Sequence, residues 1–362
     1  MKTSMAEILP RVPVVGFFEI TEACTLRCVH CEASAGARDP DELTTDEALG
    51  VATQLAAAGC RQVNITGGEP LVRKDWPEIC RRFADLGVQV TIVTNGTLVD
   101  RPMAARMVAA GVANVAVSLD GDKSAHDAIR VPASRSAGSS YDKAVAALEV
   151  CRTAGLRTAA ITVLHRKNRD CLGFVHDLVA RLGVALWQVQ LAMPLGRLSA
   201  VRDDYMVGPE HILPLEEELA ALVAKRAVPI AVADNIGYYG RLEPVLRGSL
   251  TGKPTFYTGC MAGCRVVGIR SNGDVKGCPS NPVELVVGNL RAETFAEIWG
   301  DTQRFSRNTA FREERLRGAC RSCAFRRVCR GGCSSMAFAL SGSVHENPLC
   351  LQRAVATPAG PP

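Results

Sequence analysis

Hydrophobic positions in the first half of the chain recur with two alternating periods. Short apolar, β-branched runs predict strands at Val14–Ile20, Gln62–Thr66, Val88–Thr94, Val112–Leu119, Thr158–Leu164 and Ala185–Leu191. Between them lie stretches of period 3.6, predicted as helices over Thr44–Ala58, Trp76–Leu86, Arg101–Ala110, Tyr141–Ala154 and Asp170–Leu182. Each helix closes on a glycine (Gly59, Gly87, Gly111, Gly155, Gly183), the residue that enters the left-handed conformation without a Cβ penalty. Near-continuous apolar strands alternating with helices predict an α/β fold of parallel strands with helices outside, as a partial barrel or a doubly wound sheet. Both architectures place function at the C-terminal ends of the strands.

The second half is less periodic. His211–Val228 reads as a linking helix, and Asp234–Leu242, with Tyr238 and Tyr239, is an irregular aromatic segment expected to anchor a loop rather than line substrate. At 362 residues, 47% hydrophobic and 22% charged, the chain can bury a core, which excludes disorder, collagen and coiled coil. The net charge of +5 is dispersed without a long like-charge block, so no nucleic-acid partner is expected. No apolar run approaches the roughly 20 residues that span a bilayer, and Met1–Arg11 lacks the apolar core of a signal peptide. The expected setting is cytoplasmic, with no membrane partner. Disulfides are rare there, so 15 cysteines need another role, and metal ligation is the first candidate.

The cysteines fall into groups. Cys24, Cys28 and Cys31 form C-x3-C-x2-C directly after the first strand. Cys60, Cys80 and Cys151 are dispersed singles, read as small buried hydrophobes. Cys171 opens the helix after the fifth strand; packing is its expected role, hydrogen donation to substrate the alternative. Eight more follow: Cys260, Cys264, Cys278, Cys320, Cys323, Cys329, Cys333 and Cys350. Zinc structural sites close with four ligands, and a [4Fe–4S] cube normally takes four thiolates. Three thiolates on one loop therefore leave one iron open. A zinc site completed by His30 is sterically awkward, because His30 adjoins Cys31.

The three-cysteine loop, Gly67-Gly68-Glu69-Pro70 after the second strand and Ser118-Leu119-Asp120-Gly121 after the fourth together resemble the radical S-adenosylmethionine (SAM) enzymes. The resemblance implies a partial (β/α)6 TIM-type barrel. It also implies a [4Fe–4S] cluster on Cys24, Cys28 and Cys31 that binds SAM at its open iron. Reductive cleavage of SAM then yields a 5′-deoxyadenosyl radical that takes a hydrogen atom from substrate. By position, His30 would pack near the adenine. The Gly67–Pro70 turn would approach the methionine ammonium, with Glu69 as charge partner, and Ser118 and Arg130 would contact ribose and carboxylate. Read without the resemblance, Gly67–Pro70 is an ordinary turn, Ser118 a strand-end hydroxyl and Arg130 a solvated helix charge.

The C-terminal cysteines, with Ser271-Asn272-Gly273-Asp274 as a hairpin turn and Arg330-Gly331-Gly332-Cys333, resemble a SPASM domain. That resemblance implies two auxiliary [4Fe–4S] clusters. Cys260, Cys264, Cys278 and Cys333 would hold the inner one, though relatives lacking a counterpart of Cys264 leave an open iron there. Cys320, Cys323, Cys329 and Cys350 would hold the outer one. Taken alone, the same eight cysteines could hold two zinc ions. The expected organisation is an N-terminal tail (1–13), barrel (14–195), bridging segment (196–254), SPASM domain (255–350) and disordered tail (351–362).

Such proteins mostly modify ribosomally made peptides, and Cys31–Leu43 resembles peptide-modifying maturases such as the mycofactocin maturase. That match lies near the cofactor loop and says little about substrate; the leading expectation, a peptide substrate, follows from what such proteins mostly modify. The alternative is the same chemistry on a small metabolite (dehydrogenation, epimerisation or bond formation), and a non-catalytic metal-binding scaffold is the third reading. Pro279 stands where the sulfatase-maturing branch carries an acidic base, which disfavours formylglycine formation. About thirteen residues precede the first strand, too few for a domain. A peptide would then need a separate leader-peptide-binding protein or direct recognition. A flavodoxin- or ferredoxin-type protein is the implied electron donor.

Overall fold

The computed structural model describes residues 4–134, 136 and 138–356. The six predicted strands form within one residue of their expected limits: β1 (Val15–Thr21), β2 (Gln62–Gly67), β3 (Gln89–Thr94), β4 (Val112–Ser118), β5 (Arg157–Leu164) and β6 (Leu186–Leu191). Each pairs in parallel with the next. The intervening helices are Thr45–Ala57, Trp76–Asp85, Arg101–Ala109, Ser140–Thr153 and Leu172–Arg181. A short helix, Lys123–Ile129, also follows β4 and has no counterpart in the periodicity.

The barrel does not close. On one side β6 pairs with β7 (Ile230–Val232). On the other, the free edge of β1 is taken by β8 (Val266–Ile269), in parallel. Next come β9 (Asp274–Lys276) and β10 (Val286–Asn289), antiparallel to their neighbours. One ten-stranded sheet thus runs through the cysteine-rich C-terminal region as well as the barrel.

Strand residues alternate more strictly than a near-continuous apolar reading implies. Phe18, Ile20, Val63, Ile65, Val90, Ile92, Val115, Val117, Trp187 and Val189 are buried in one core beneath the helices. The opposite face lines a cavity with Glu19, Asn64, Thr91, Asn114, Ser118, Gln188 and Gln190. An unclosed barrel leaves that face open to water, so it has no need to be apolar.

Several outer helices are fixed at their first turn. Thr44 and Glu47 form a capping box at Thr45–Ala57, and Thr294 and Glu297 form another at Phe295–Gly300. The chain before β1 packs on the C-terminal region: the Ser4 hydroxyl donates to the Thr258 carbonyl at 2.7 Å, and the Arg11 guanidinium lies 4.4 Å from the Trp299 ring centroid. Where the disordered tail was expected to begin, Leu351–Ala356 is instead helical, because Leu351 is buried and covers Gly237. Residues 357–362 lie outside the described residues. Among the described residues no helix is long and apolar enough to cross a membrane.

Candidate active site

A cavity of about 1040 Å³ runs along the inner face of the strands, from Val15, Gln62, Gln89 and Arg157 at their first residues to the C-terminal strand ends, where Cys24, Cys28 and Cys31 all line it. Their loop is clamped from two sides. From β2, the Gly68 N–H donates to the Thr21 carbonyl at 2.7 Å and the Glu69 N–H to the Ala23 carbonyl at 2.8 Å. Any Cβ on Gly67 or Gly68 would lie 2.1 Å from the Thr21 oxygen or 2.3 Å from the Ala23 oxygen, so only glycine permits this approach. From beyond β6, the Arg197 guanidinium donates to the carbonyls of Cys28 and Ala35, both at 2.8 Å. The reach of Arg197 across 169 residues has no local signature in the sequence.

Two side-chain donors face the sulfurs. Asn95 Nδ2 lies 3.8 Å from Cys24 Sγ, and Arg130 Nη1 lies 3.9 Å from Cys28 Sγ. Burial pushes the Cys28 thiol up to about 11, with Arg130 pulling the other way. Arg130 is buried, not a solvated helix charge: its Nε donates to Asp120 Oδ2 at 2.5 Å, beside His30 Nε2 at 3.4 Å. Burial alone would raise the Asp120 carboxyl; Arg130, His30 and His126 outweigh it and hold the group well below the ordinary carboxylate range. Burial, followed by the Arg130 charge, lowers His30 to about 3, against the opposing pull of Asp120, so the ring is neutral. The other Asp120 oxygen accepts from the Val163 N–H at 2.8 Å, and the Asp120 N–H donates to His126 Nδ1 at 3.1 Å. Asp120 was visible in its motif but not as the hub of this network.

Ser118, Gly67, Gly68, His30 and Arg130 line the cavity. Glu69 and Pro70 are not part of its lining. The Glu69 carboxylate turns toward β3 and accepts from Thr94 Oγ1 and the Asn95 N–H, both at 2.8 Å. Burial pushes that carboxyl up to about 7 despite these hydrogen bonds. Across the cavity, Lys276 on β9 reaches Glu19 on β1 at 3.6 Å, so the C-terminal region supplies part of the wall.

The C-terminal thiols gather in two places. Burial pushes the Cys278 thiol up, and neighbouring Cys333 and Cys260 add to it; Cys264, raised to about 11, also lies beside Cys260. Cys329 is raised by burial and then by Cys350, Cys320 and Cys323. Tyr238 fills the space between the two groups. Its hydroxyl accepts from the Cys333 N–H at 2.7 Å, and its carbonyl accepts from Cys350 Sγ at 3.8 Å. A Cβ on Gly332 would lie 2.3 Å from the Tyr238 ring. Cys60, Cys80 and Cys151 are buried in the core, and half-buried Cys171 packs on Gly121, outside the cavity lining.

Among the described residues no three His, Cys, Asp or Glu side chains come close enough to hold a single metal ion. Zinc at about 2.3 Å from each sulfur would draw its thiolates that close; a four-iron cube holds its thiolates on separate corners, further apart. Three thiols on one loop, with Asn95 and Arg130 directed at the sulfurs and open space beyond, fit a cube with one exposed corner.

Residues 18–179 match the model of the radical SAM superfamily, and residues 260–324 match that of the SPASM iron–sulfur cluster-binding domain. The chain is 30% identical to an AdoMet-dependent heme synthase of Methanosarcina barkeri, over 93% of this chain and 95% of that protein. It is 33% identical to the mycofactocin maturase MftC of Mycolicibacterium smegmatis, over 90% of this chain and 79% of that protein. Among solved structures, anSMEcpe with bound AdoMet superposes with a TM-score of 0.72 at 16% identity, covering 94% of this chain and 95% of that one.

Proposed function

Because the chain belongs to the radical SAM superfamily, as an enzyme with a C-terminal SPASM region, we propose that it modifies a ribosomally made peptide by hydrogen-atom abstraction. When bound, the iron–sulfur group and SAM supply a 5′-deoxyadenosyl radical. Cys24, Cys28 and Cys31 hold that group and leave one corner for SAM. Gly67 and Gly68 give SAM close access to backbone, Ser118 faces it from the end of β4 and His30 from the cysteine loop, and Arg130 offers a cation. Asp120 keeps Arg130 and His30 in place, and the buried Glu69 fixes the Thr94–Asn95 turn whose amide faces Cys24. Two auxiliary clusters occupy the C-terminal thiols: Cys260, Cys264, Cys278 and Cys333, and Cys320, Cys323, Cys329 and Cys350. A flavodoxin- or ferredoxin-type protein delivers the electron, and a separate protein presents the peptide leader.

The cavity lining carries the substrate assignment. Its amide and hydroxyl side chains, Asn64, Thr91, Asn114, Gln188 and Gln190, suit peptide groups. Its cations are largely engaged already: Arg130 by Asp120, Arg270 by Glu22, Lys276 by Glu19, and Arg197 by two carbonyls. The full-length similarity to a heme synthase favours a second reading, a carboxylate-bearing small metabolite. Such a substrate would need free cations here, and Arg157, at the opposite end of β5, is the one lining cation without a partner among the described residues.

Anaerobic reconstitution should give about twelve irons per chain, four per cube, and 5′-deoxyadenosine under dithionite. Replacing Cys28 by Ala should abolish 5′-deoxyadenosine and leave the other two-thirds of the iron bound; full turnover in that variant would refute the assignment. A mass change in a short peptide encoded beside the gene tests the substrate, and its absence across such peptides favours the metabolite.

A further inference from the structure

Arginine is most concentrated in one stretch of the C-terminal region. Residues 312–330 carry seven arginines against two glutamates, in a protein whose total is only +5. Arg326 and Arg327 are engaged by Glu313, at 2.8 and 2.5 Å, and Arg330 is buried. Arg317 and Arg321 are exposed and have no side-chain partner among the described residues, and the same holds for Arg353 on the last helix. These cations surround half-buried Cys320 and Cys323. Arg353 lies within electrostatic reach of Cys320, as does Glu346.

An aromatic shelf adjoins them. Phe325 stacks on Tyr239 at 4.1 Å and 10°, and Tyr239 stacks on Phe256 at 6.3 Å and 15°. Phe325 is 36% exposed and Phe256 44% exposed. Tyr239 keeps its place with φ +54°, a conformation rarely taken by non-glycine residues. Its N–H donates to Glu243 at 2.8 Å and its hydroxyl to the Tyr257 carbonyl at 2.5 Å. The Phe325 N–H points at Cys323 Sγ, 3.4 Å away. Exposed aromatics beside unpaired arginines are the composition of a protein-interface core rather than of ordinary surface.

We propose that this face, built on Arg317, Arg321, Arg353 and Phe325, is the docking surface for a small acidic electron-carrier protein of the flavodoxin or ferredoxin class. The proposal rests on the function above, in that the adjacent outer thiols hold an iron–sulfur group. Unpaired arginines select an acidic partner, the shelf gives it an apolar seat, and contact at Cys323 makes the electron path short. The exchange moves one electron and no atoms: the carrier is oxidised by one electron and the group on the outer thiols is reduced by one.

The test is a calorimetric titration of the reconstituted enzyme with a purified bacterial flavodoxin at low and high salt. Affinity should fall as salt rises. The R317E/R321E/R353E variant should bind at least about tenfold more weakly, the R317K/R321K/R353K variant should bind like the parent, and F325A should also lose affinity. In the reversed variant, flavodoxin-driven 5′-deoxyadenosine formation should fall while dithionite-driven formation holds. If charge reversal also strips iron, the single R353E variant should show a smaller loss in the same direction with iron intact. Unchanged flavodoxin affinity on reversal would overturn the docking surface. So would tighter binding of single-stranded RNA or anionic vesicles than of flavodoxin, lost on the same reversal. Failure of the parent enzyme to cleave SAM under dithionite would sink the radical reading instead, with the binding data still judging the surface.

Discussion

Asp120 sits where four elements meet. It accepts from Arg130 after the helix Lys123–Ile129 and from the Val163 N–H on β5. It lies beside His30 of the cysteine loop, and its carbonyl accepts from Asn168 Nδ2 at 2.6 Å. Removing the carboxylate would leave the buried Arg130 guanidinium uncompensated next to Cys28. Breaking a buried pair in this way costs about 3–5 kcal/mol. Asp120→Ala should show that loss in denaturant unfolding, and a change below about 1 kcal/mol would contradict the buried-pair account. The Ser-Leu-Asp-Gly motif put Asp120 at a strand end on sequence grounds. Its partners were not legible there, because they arrive from segments 10 to 90 residues away.

At the scale of elements, the cysteine loop depends on the turn after β2. Gly68 has no room for a Cβ against the Ala23 carbonyl, so Gly68→Ala must push the turn or the loop aside. The expected outcome is a stability loss of at least about 1–3 kcal/mol, with iron bound by the three N-terminal thiols lost before the rest. Iron analysis and thermal unfolding together check it; a variant with normal iron and normal melting would contradict the close approach. The Gly-Gly-Glu-Pro motif announced the turn, but its glutamate faces β3 rather than the cavity. Orientation of that kind depends on which neighbour offers donors, here Thr94 and Asn95. The Tyr238 segment makes the same point: its aromatic residues were legible as an anchor, while the two thiol groups they separate came together only by folding.

For the molecule as a whole, buried histidines tie stability to pH. His126 is held at about 4 by burial and then Arg130, against the pull of Asp120; His165 is held at about 4, chiefly by burial. Unfolded, both titrate near the ordinary value of about 6.5. Between these values the unfolded chain binds more protons. Their contribution is therefore complete above about 6.5 and is lost as pH falls toward about 4, at of order 1–3 kcal/mol for each ring. His126→Asn keeps an acceptor for the Asp120 N–H but cannot take up a proton. In melts of the iron-free protein, the parent should lose stability faster than this variant on acidification, and parallel pH profiles would count against the buried-histidine account.

The sequence by itself determined the strand–helix repeat and the placement of function at the strand ends, both written in local signals: hydrophobic period and glycine stops. The iron–sulfur chemistry is what the resemblance of its cysteine motifs to a known family implies. Tertiary structure alone decided that the sheet stays open and that β8 of the cysteine-rich region completes the edge of β1. It also decided which carboxylates neutralise the cavity's cations and which arginines remain unpaired beside Cys320 and Cys323. Those outcomes depend on distances between groups far apart in the chain. A charge has no fixed role until folding sets its burial and its partner.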